Sequence, residues 1–354
     1  MRAFHRLRTC VASQFLLSLL LAISTSRAHS ATIQVIPPNE PTAIFGTASE
    51  IFVEGEIDEN TPKEFELLIN EKDIKEYSNV FLHSPGGNLL AGIAIGRIIR
   101  KHGFNTYVAK SQSKPTKQWG TEAGACFSAC TLAYMGGVFR FMDEHSRYGV
   151  HRFYSDRTTA NDKDIAQMMS AVEVQYLREM GIETSFFSSM VSTGRDSVYE
   201  PNRQELENAG VVNNGATKPI WTIEGGEPGL YLKGERQTAY GINKFMVFCE
   251  GHQLRLYVMF DPQGRQLEVM NSEAHSLVVD NASIPIKPLE KSIQGQWFNA
   301  IYVITPKLWT VIASAKTAGV IVQKNYSSSI FLGFDQLPLS DGRAKLKGMI
   351  SQCQ

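Results

Sequence analysis

The residues best suited to chemistry in this sequence lie between Gly124 and Gly137, where a serine flanked by small residues introduces a short apolar run. Ser128 stands at the predicted start of a helix. Small neighbours let a carbonyl carbon approach its hydroxyl closely, and the amide of Ala129 lies where developing negative charge is favoured. A buried serine that only packs or caps a helix shows the same pattern. The stretch therefore predicts a nucleophile only if the rest of the chain supplies a general base and donors for an oxyanion.

A glycine turn, Pro85-Gly86-Gly87, follows a predicted strand at 78–83 and precedes a predicted helix at 89–101. Two consecutive glycines let the backbone turn sharply and leave amides unobstructed, so the turn can bind an oxyanion. A plain strand-to-helix turn has the same sequence. No Gly-Lys-Ser/Thr ends it and no Gly-x-Gly-x-x-Gly opens the helix, so it does not predict a nucleotide-phosphate site.

Two further residues have side chains suited to proton transfer. His151 ends the apolar run 148–150, and Asp196 lies in a polar loop after a predicted short helix at 185–192. Taken alone, each is more typical of a structural histidine or a solvated acid than of a catalytic group. Whether His151 and Asp196 act in catalysis depends on whether the fold brings them close to Ser128.

The elements around these residues predict an α/β fold for residues 31–212. Strands at 51–57, 78–83, 105–109, 138–142 and 147–153 alternate, early in the chain, with helices at 62–70 and 89–101. This order is typical of a parallel sheet with right-handed crossovers. The stretch from Asp162 to Met180 has apolar residues at helical spacing and predicts an amphipathic helix. Its apolar face suits a core, and the alternative is a partner surface.

The C-terminal part predicts a second domain. Residues 213–229, rich in Gly, Asn, Thr and Pro, suggest a linker. Residues 230–354 contain short alternating apolar runs at regular spacing, which predict a small, mainly β, sandwich-like domain with helices at 306–317 and 343–353. It has no cluster of His, Cys or acids suited to catalysis or metal binding. We therefore expect an accessory domain for binding, positioning or oligomerisation, and no metal or cofactor.

The first thirty residues predict a signal peptide. Three arginines precede the apolar run 15–23, and small residues follow, with cleavage expected between Ala28 and Thr32. The run is short for a membrane span, which needs about 20 residues. The chain has 35 basic and 35 acidic residues, and the leader contains four arginines and no acid, so the mature chain is mildly acidic. The signal peptide predicts a secreted or periplasmic protein, and the charge balance argues against a nucleic-acid surface.

Four cysteines follow the leader, in a compartment where disulfides persist. A long-range bridge between Cys249 and Cys353 is the simplest inference for the C-terminal part. Cys126 and Cys130 are four residues apart, within disulfide distance on a helix although their Cβ directions are poor. The sequence leaves open whether this pair is bridged or reduced.

Taken in order, the motifs resemble those of the ClpP-type serine peptidases of the Clp/crotonase superfamily. His83-Ser84-Pro85-Gly86-Gly87 looks like the family's oxyanion loop, and Cys126-Phe127-Ser128-Ala129-Cys130 stands where the family has its nucleophile. Val150-His151 looks like its base-bearing strand, and Arg195-Asp196 followed by 205–212 looks like its acid and closing helix.

The resemblance implies specific roles. Ser128 would attack, His151 would take and return the proton, and Asp196 would orient the imidazole. The amides of Gly87 and Ala129 would bind the oxyanion. The helix from Asp162 corresponds in position to the family's handle, which implies a homo-oligomer, and the implied substrate is a peptide or protein.

The chain departs from the family pattern in the longer connection 110–122, in the cysteines beside the serine and in the added C-terminal domain. We expect a peptidase that acts without ATP, because no ATP-driven unfoldase is expected outside the cytoplasm. The alternatives are a catalytically silent binding or scaffold protein, a crotonase-type acyl-thioester enzyme, which export argues against, and a nucleophile at Cys126.

Overall fold

The computed structural model describes residues 30–38, 48–112, 120–154, 162–194, 196–226, 229–328 and 331–353. The predicted leader lies outside these ranges except for Ser30, and so does Arg195, which precedes the predicted acid. Within the described ranges, no helix has the length and hydropathy needed to cross a membrane.

The N-terminal half alternates strands and helices around a large hydrophobic core, and Phe52, Phe81 and Ala109 form a separate smaller cluster. Its elements are β1 (Thr32–Ile36), β2 (Glu50–Glu54), α1 (Thr61–Glu71), β3 (Asn79–His83), α2 (Leu89–Lys101), β4 (Asn105–Ser111), β5 (Thr121–Ala123), β6 (Ala125–Phe127), α3 (Ala129–Met135), β7 (Arg140–Met142), β8 (Arg147–Gly149), α4 (Asp162–Glu179), a 3-10 turn (Thr184–Phe186), α5 (Phe187–Val191) and α6 (Arg203–Asn208).

The main sheet is mixed, with a parallel centre. Strands β2, β3, β4 and β7 pair in parallel, and β1 and β5 pair antiparallel with β2 and β4. The central residues of β2 and β3 form continuous buried runs, as expected for parallel strands covered on both faces. The predicted parallel α/β arrangement is therefore found at the centre of this sheet.

A small parallel sheet carries the candidate catalytic segments. Strand β6 pairs with β8, and Ser84, just after β3, forms an isolated bridge with Cys126. The predicted strand 147–153 is shorter than expected, because the chain beyond Gly149 pairs instead with Tyr199 through Val150. The ends of β3, β6 and β8 therefore meet near Ser128 and His151.

Two arginines hold the C-terminal end of α3. Arg100 donates to the carbonyls of Gly136 and Gly137, and Arg140 donates to those of Gly137 and, from the segment after α6, of Gly210 and Val211. Arg140 is 5% exposed, and burial lowers its pKa to about 10, so it stays charged at neutral pH. The guanidinium of Arg140 thus joins α3 to the end of the domain.

The C-terminal half forms two antiparallel sheets that share a second core. The elements are β9 (Ile220–Gly226), β10 (Gly229–Thr238), β11 (Gly241–Glu250), β12 (Gln253–Phe260), α7 (Gln266–Asn271), β13 (Ala274–Val279), β14 (Ala282–Ile286), β15 (Pro288–Gln294), β16 (Trp297–Val303), α8 (Pro306–Ser314), β17 (Thr317–Gln323), β18 (Leu332–Pro338) and α9 (Arg343–Gln352). The six-stranded sheet has the order β15-β16-β12-β11-β10-β9, and the four-stranded sheet has the order β14-β13-β17-β18.

The stretch suggested as a linker, residues 213–229, is partly ordered as a strand. Strand β9 begins at Ile220 and pairs with β10. Trp221 is buried against Phe245 and donates its indole N–H to the carbonyl of Pro338. The connection therefore ends before Ile220, because burial of this tryptophan draws the segment into the C-terminal core.

Both cysteine pairs are disulfide-bonded in the structure. Cys249 near the end of β11 joins Cys353 after α9, across 104 residues of sequence. Cys126 in β6 joins Cys130 in α3, so the bridge spans Ser128. All but Cys249 are buried.

We expect Arg140→Met to lower the free energy of unfolding of the N-terminal half by about 3 kcal/mol, because buried carbonyls at the ends of two helices lose their donors. Arg97→Met is the matched control. Arg97 pairs with Glu179 at the surface, so its loss should cost less than about 1 kcal/mol. Urea unfolding followed by circular dichroism, with hydrogen exchange of residues 125–137, measures both. Equal effects of the two substitutions would contradict the role given to Arg140.

Candidate active site

Ser128 occupies a strained turn between β6 and α3. Its φ of 53° and ψ of −125° lie in a region that residues other than glycine rarely adopt. The Ser128 amide donates to Gly149 in β8 at 2.9 Å, and its carbonyl accepts from the Thr131 hydroxyl at 2.6 Å. Backbone strain of this kind persists only where neighbours enforce it, and it is concentrated at functional sites.

The glycine turn after β3 packs directly on this serine. A Cβ atom added to Gly86 would lie 2.6 Å from Cβ of Ser128 and 2.7 Å from the carbonyl oxygen of Phe127. Gly86 also has a φ of 104°, which side-chain-bearing residues avoid. No other residue fits at this position without moving the serine.

Two main-chain amides near Ser128 make no hydrogen bond to another described residue. They belong to Gly87 in the glycine turn and to Ala129, the first residue of α3. Unpaired N–H donors from two loops that meet at a serine are the arrangement needed to bind an oxyanion. Both residues line the same cleft as Ser128.

His151 lies beyond β8 on the same cleft and is half-buried. Its Nδ1 lies 3.0 Å from the main-chain carbonyl of Arg152. Because a carbonyl only accepts, this contact assigns the proton of the neutral ring to Nδ1 and leaves Nε2 as an acceptor. Nε2 is then the ring atom that can take a proton from a hydroxyl.

Asp196 is exposed and is not among the residues that line the cleft. The loop that carries it, however, is paired on both sides of His151. Val150 exchanges two 2.8 Å hydrogen bonds with Tyr199, and the Arg152 amide donates to Thr193 at 3.0 Å. The structure therefore brings Ser128, His151 and the two amides to one cleft and places the Asp196 loop beside it. The role of Asp196 stays a prediction.

The cleft has a volume of about 730 Å³ and is mainly apolar along α4. It is lined by Glu56, residues 85–90, Ser128, Ala129, Thr131, Leu132, Val150, His151, Phe153, Tyr154, Ile165, Met169, Glu173 and Met190.

Sequence reasoning missed Glu173 in α4. It is 5% exposed and lies on the cleft, and burial raises its pKa to about 7. The helical spacing of the sequence could have indicated this position. Glu173 is four residues after Met169 and three before Tyr176, and both of these residues are buried. An acid at a core-facing position of an amphipathic helix indicates a special environment.

No group of His, Cys, Asp and Glu suited to a metal ion occurs in the ranges that the structure covers. The disulfide of Cys126 also leaves no free thiol there, so the alternative nucleophile is not available in this state.

Comparison with known proteins gives matches among solved structures only. A mutant of the membrane-bound stomatin-specific protease 1510-N is 18% identical, with 46% of this chain and 75% of that chain covered and a TM-score of 0.33. ClpP1 from Listeria monocytogenes is 19% identical, with 46% and 88% covered and a TM-score of 0.35. No known family profile and no curated protein matches the chain. At this level of similarity neither protein's activity carries over to the chain.

We expect Gly86→Ala to reduce the reactivity of Ser128 at least 100-fold, because the added methyl group must displace the serine or the amides beside it. Gly181→Ala is the matched control. Gly181 also has a left-handed φ, of 67°, but an added Cβ meets no atom within 4 Å, so it tests backbone strain without the contact. Reactivity is measured as the rate of covalent labelling by a fluorophosphonate. Similar rates for the two variants would contradict this account of Gly86.

Proposed function

We propose that this chain is an exported serine hydrolase, a ClpP-like peptidase that acts without ATP on peptides or exposed segments of proteins. The observation that carries the proposal is the strained Ser128 on one cleft with His151 and the unbonded amides of Gly87 and Ala129. The two disulfides are compatible with an oxidising compartment, as export requires.

The proposed reaction begins with attack of Ser128 Oγ on a carbonyl carbon. Nε2 of His151 accepts the hydroxyl proton and later gives it to the leaving amine. The negative charge that develops on the carbonyl oxygen is stabilised by the amides of Gly87 and Ala129, each worth about 2.7–4 kcal/mol in such sites. Water then attacks the ester carbonyl of the acyl-serine as Nε2 of His151 takes its proton, and His151 returns this proton to Ser128 Oγ as the bond between that oxygen and the acyl carbon breaks.

Two versions of this mechanism differ in the group that accepts the hydrogen bond from Nδ1 of His151 and so orients the ring. In the structure the Arg152 carbonyl accepts from Nδ1, which fixes the tautomer without a carboxylate. In the predicted triad Asp196 takes that place. The loop that carries Asp196 pairs with Val150 and Arg152, on either side of His151, and this pairing supports the triad as the proposal.

A silent binding protein of the same fold is the second candidate, favoured by the position of Asp196 outside the cleft lining. Assembly through α4 also stays a prediction. The apolar side of that helix belongs to the domain core at Tyr176 and Leu177, and Met168 is the large apolar residue that it exposes.

We expect a fluorophosphonate to label the purified mature protein on Ser128, with labelling lost in Ser128→Ala and reduced at least 100-fold in His151→Ala. Ser192→Ala, which removes an exposed hydroxyl in the same half of the chain, should label like wild type. Mass spectrometry of the labelled peptide identifies the site. A folded, unlabelled wild type would favour the silent binding protein.

We expect Asp196→Asn to slow labelling at least 100-fold if Asp196 orients the imidazole, because the amide no longer stabilises the imidazolium. Asp164→Asn, an exposed acid of α4, is the control and should change the rate less than 3-fold. An Asp196→Asn rate equal to that of the control would replace the triad by a Ser128–His151 pair held by the Arg152 carbonyl.

A further inference from the structure

The cleft contains a buried acid that the hydrolytic mechanism does not use. Glu173 is 5% exposed, and no described residue forms a hydrogen bond or an ion pair with its carboxyl group. Burying a carboxylate without a partner is unfavourable, and the raised pKa of about 7 reflects this cost. A group of this kind is stabilised when a cation enters the cleft.

The position of Glu173 relative to the nucleophile follows from the packing of α4 on α3. Tyr176, one turn further along α4, donates its hydroxyl to the carbonyl of Leu132 in α3 at 2.6 Å. Thr131, next to Leu132, bonds the carbonyl of Ser128. These contacts pack α4, which carries Glu173, against α3, the helix that begins directly after Ser128.

Among the described residues that line the cleft, the charged side chains are the acids Glu56 and Glu173. His151 is the basic side chain of this described lining, which contains no lysine or arginine. Glu56 lies beside the glycine turn, with its Cγ 3.1 Å from the position of a Cβ on Gly87. The potential in the cleft therefore favours a positively charged substrate group.

Apolar side chains line the same cleft as Glu173. Leu132, Met169 and Met190 are each less than 10% exposed, and all three line the cleft together with Ile165. A lysine or arginine side chain has an aliphatic stem that packs on such residues and a charged end that needs a carboxylate. Leucine or norleucine would fill the same walls but leave the acid unpaired.

We infer that the cleft selects substrates with a lysine or arginine side chain beside the bond that is cut, and that Glu173 binds the charge of that side chain. The inference rests on the proposed hydrolase function and names its substrate class. Glu173 is a specificity-determining residue in this scheme and takes no part in the proton transfers.

The preference depends on pH. A cation beside Glu173 favours the ionised carboxylate, so near neutral pH binding of a basic side chain releases a proton. Selectivity for basic side chains should therefore increase between pH 6 and pH 8. Glu56, His151 and Tyr154 are the other titratable groups on the described lining. The ratio of the labelling rates of a basic and an apolar probe at Ser128 is used, because the effect of these groups on the chemical step is common to both rates and cancels.

The test uses two peptidyl phosphonates that differ only in the reactive residue, lysine or norleucine, and a fluorophosphonate without a side chain. The mature wild type should react with the lysine probe about 10- to 100-fold faster than with the norleucine probe at pH 8. In Glu173→Gln and Glu173→Met the ratio should fall to near one, with loss of its pH dependence. Glu64→Gln, which removes one exposed acid of α1, is the control and should keep the wild-type ratio.

The outcomes separate the two proposals. If the small fluorophosphonate labels Ser128 but the lysine to norleucine ratio of wild type is near one, this inference is overturned and the hydrolase stands. A high ratio that Glu173→Gln leaves unchanged also overturns it, because the selectivity then comes from another group. If none of the probes labels a folded protein, the hydrolase proposal fails and the inference fails with it. A purely structural Glu173 would change the unfolding midpoint of the variants without changing the ratio.

Discussion

The contact between the glycine turn and Ser128 constrains the arrangement of the whole N-terminal half. A residue with a side chain at Gly86 would lie 2.6 Å from Cβ of the serine, so the ends of β3 and β6 meet at backbone distance. The position of a Cβ on Gly86 would also lie 3.1 Å from the amide nitrogen of Ala129, so the glycine turn borders that amide. Ser128 has a positive φ, its amide donates a 2.9 Å hydrogen bond to Gly149, and the Cys126–Cys130 disulfide spans it. The strain at one residue is therefore supported by three separate strands.

The short helix α3 owes its position to contacts at its far end. The carbonyls of Gly136 and Gly137, directly after α3, accept hydrogen bonds from Arg100 and Arg140, and Arg140 also donates to carbonyls in the segment after α6. A seven-residue helix is too short to be stable by itself, so tertiary contacts fix it. Fixing the C-terminal end of α3 fixes the Ser128 turn at the other end. The buried guanidinium of Arg140 therefore influences the geometry of the cleft through α3.

The buried charge at the C-terminal end of α3 is positive, whereas the buried ionisable group in the cleft is an acid. Positive charge is buried against carbonyls at Arg140, whereas the cleft wall carries the unpaired acid Glu173. The charge of Arg140 is satisfied by main-chain carbonyls of the fold, whereas the carboxyl group of Glu173 has no hydrogen-bond or ion-pair partner among the described residues. Because Glu173 is 5% exposed, solvent screens its charge less than that of an exposed acid, so its effect on a bound charge is larger.

The sequence by itself determined the alternation of strands and helices at the centre of the first half, the parallel α/β character there, the mainly β character of the second half and the amphipathic helix that became α4. These follow from local periodicity and from glycine and proline positions, which act over a few residues. It also singled out Ser128, Gly87, Ala129 and His151 as candidates. Only the tertiary structure decided that these four share a cleft, that Asp196 lies on a loop beside it, that Ile220 begins a strand, and that Glu173 faces inward. Each of these depends on contacts between residues far apart in sequence, and burial at a given position, as at Glu173, is decided by the neighbouring elements and not by the pattern of its own helix.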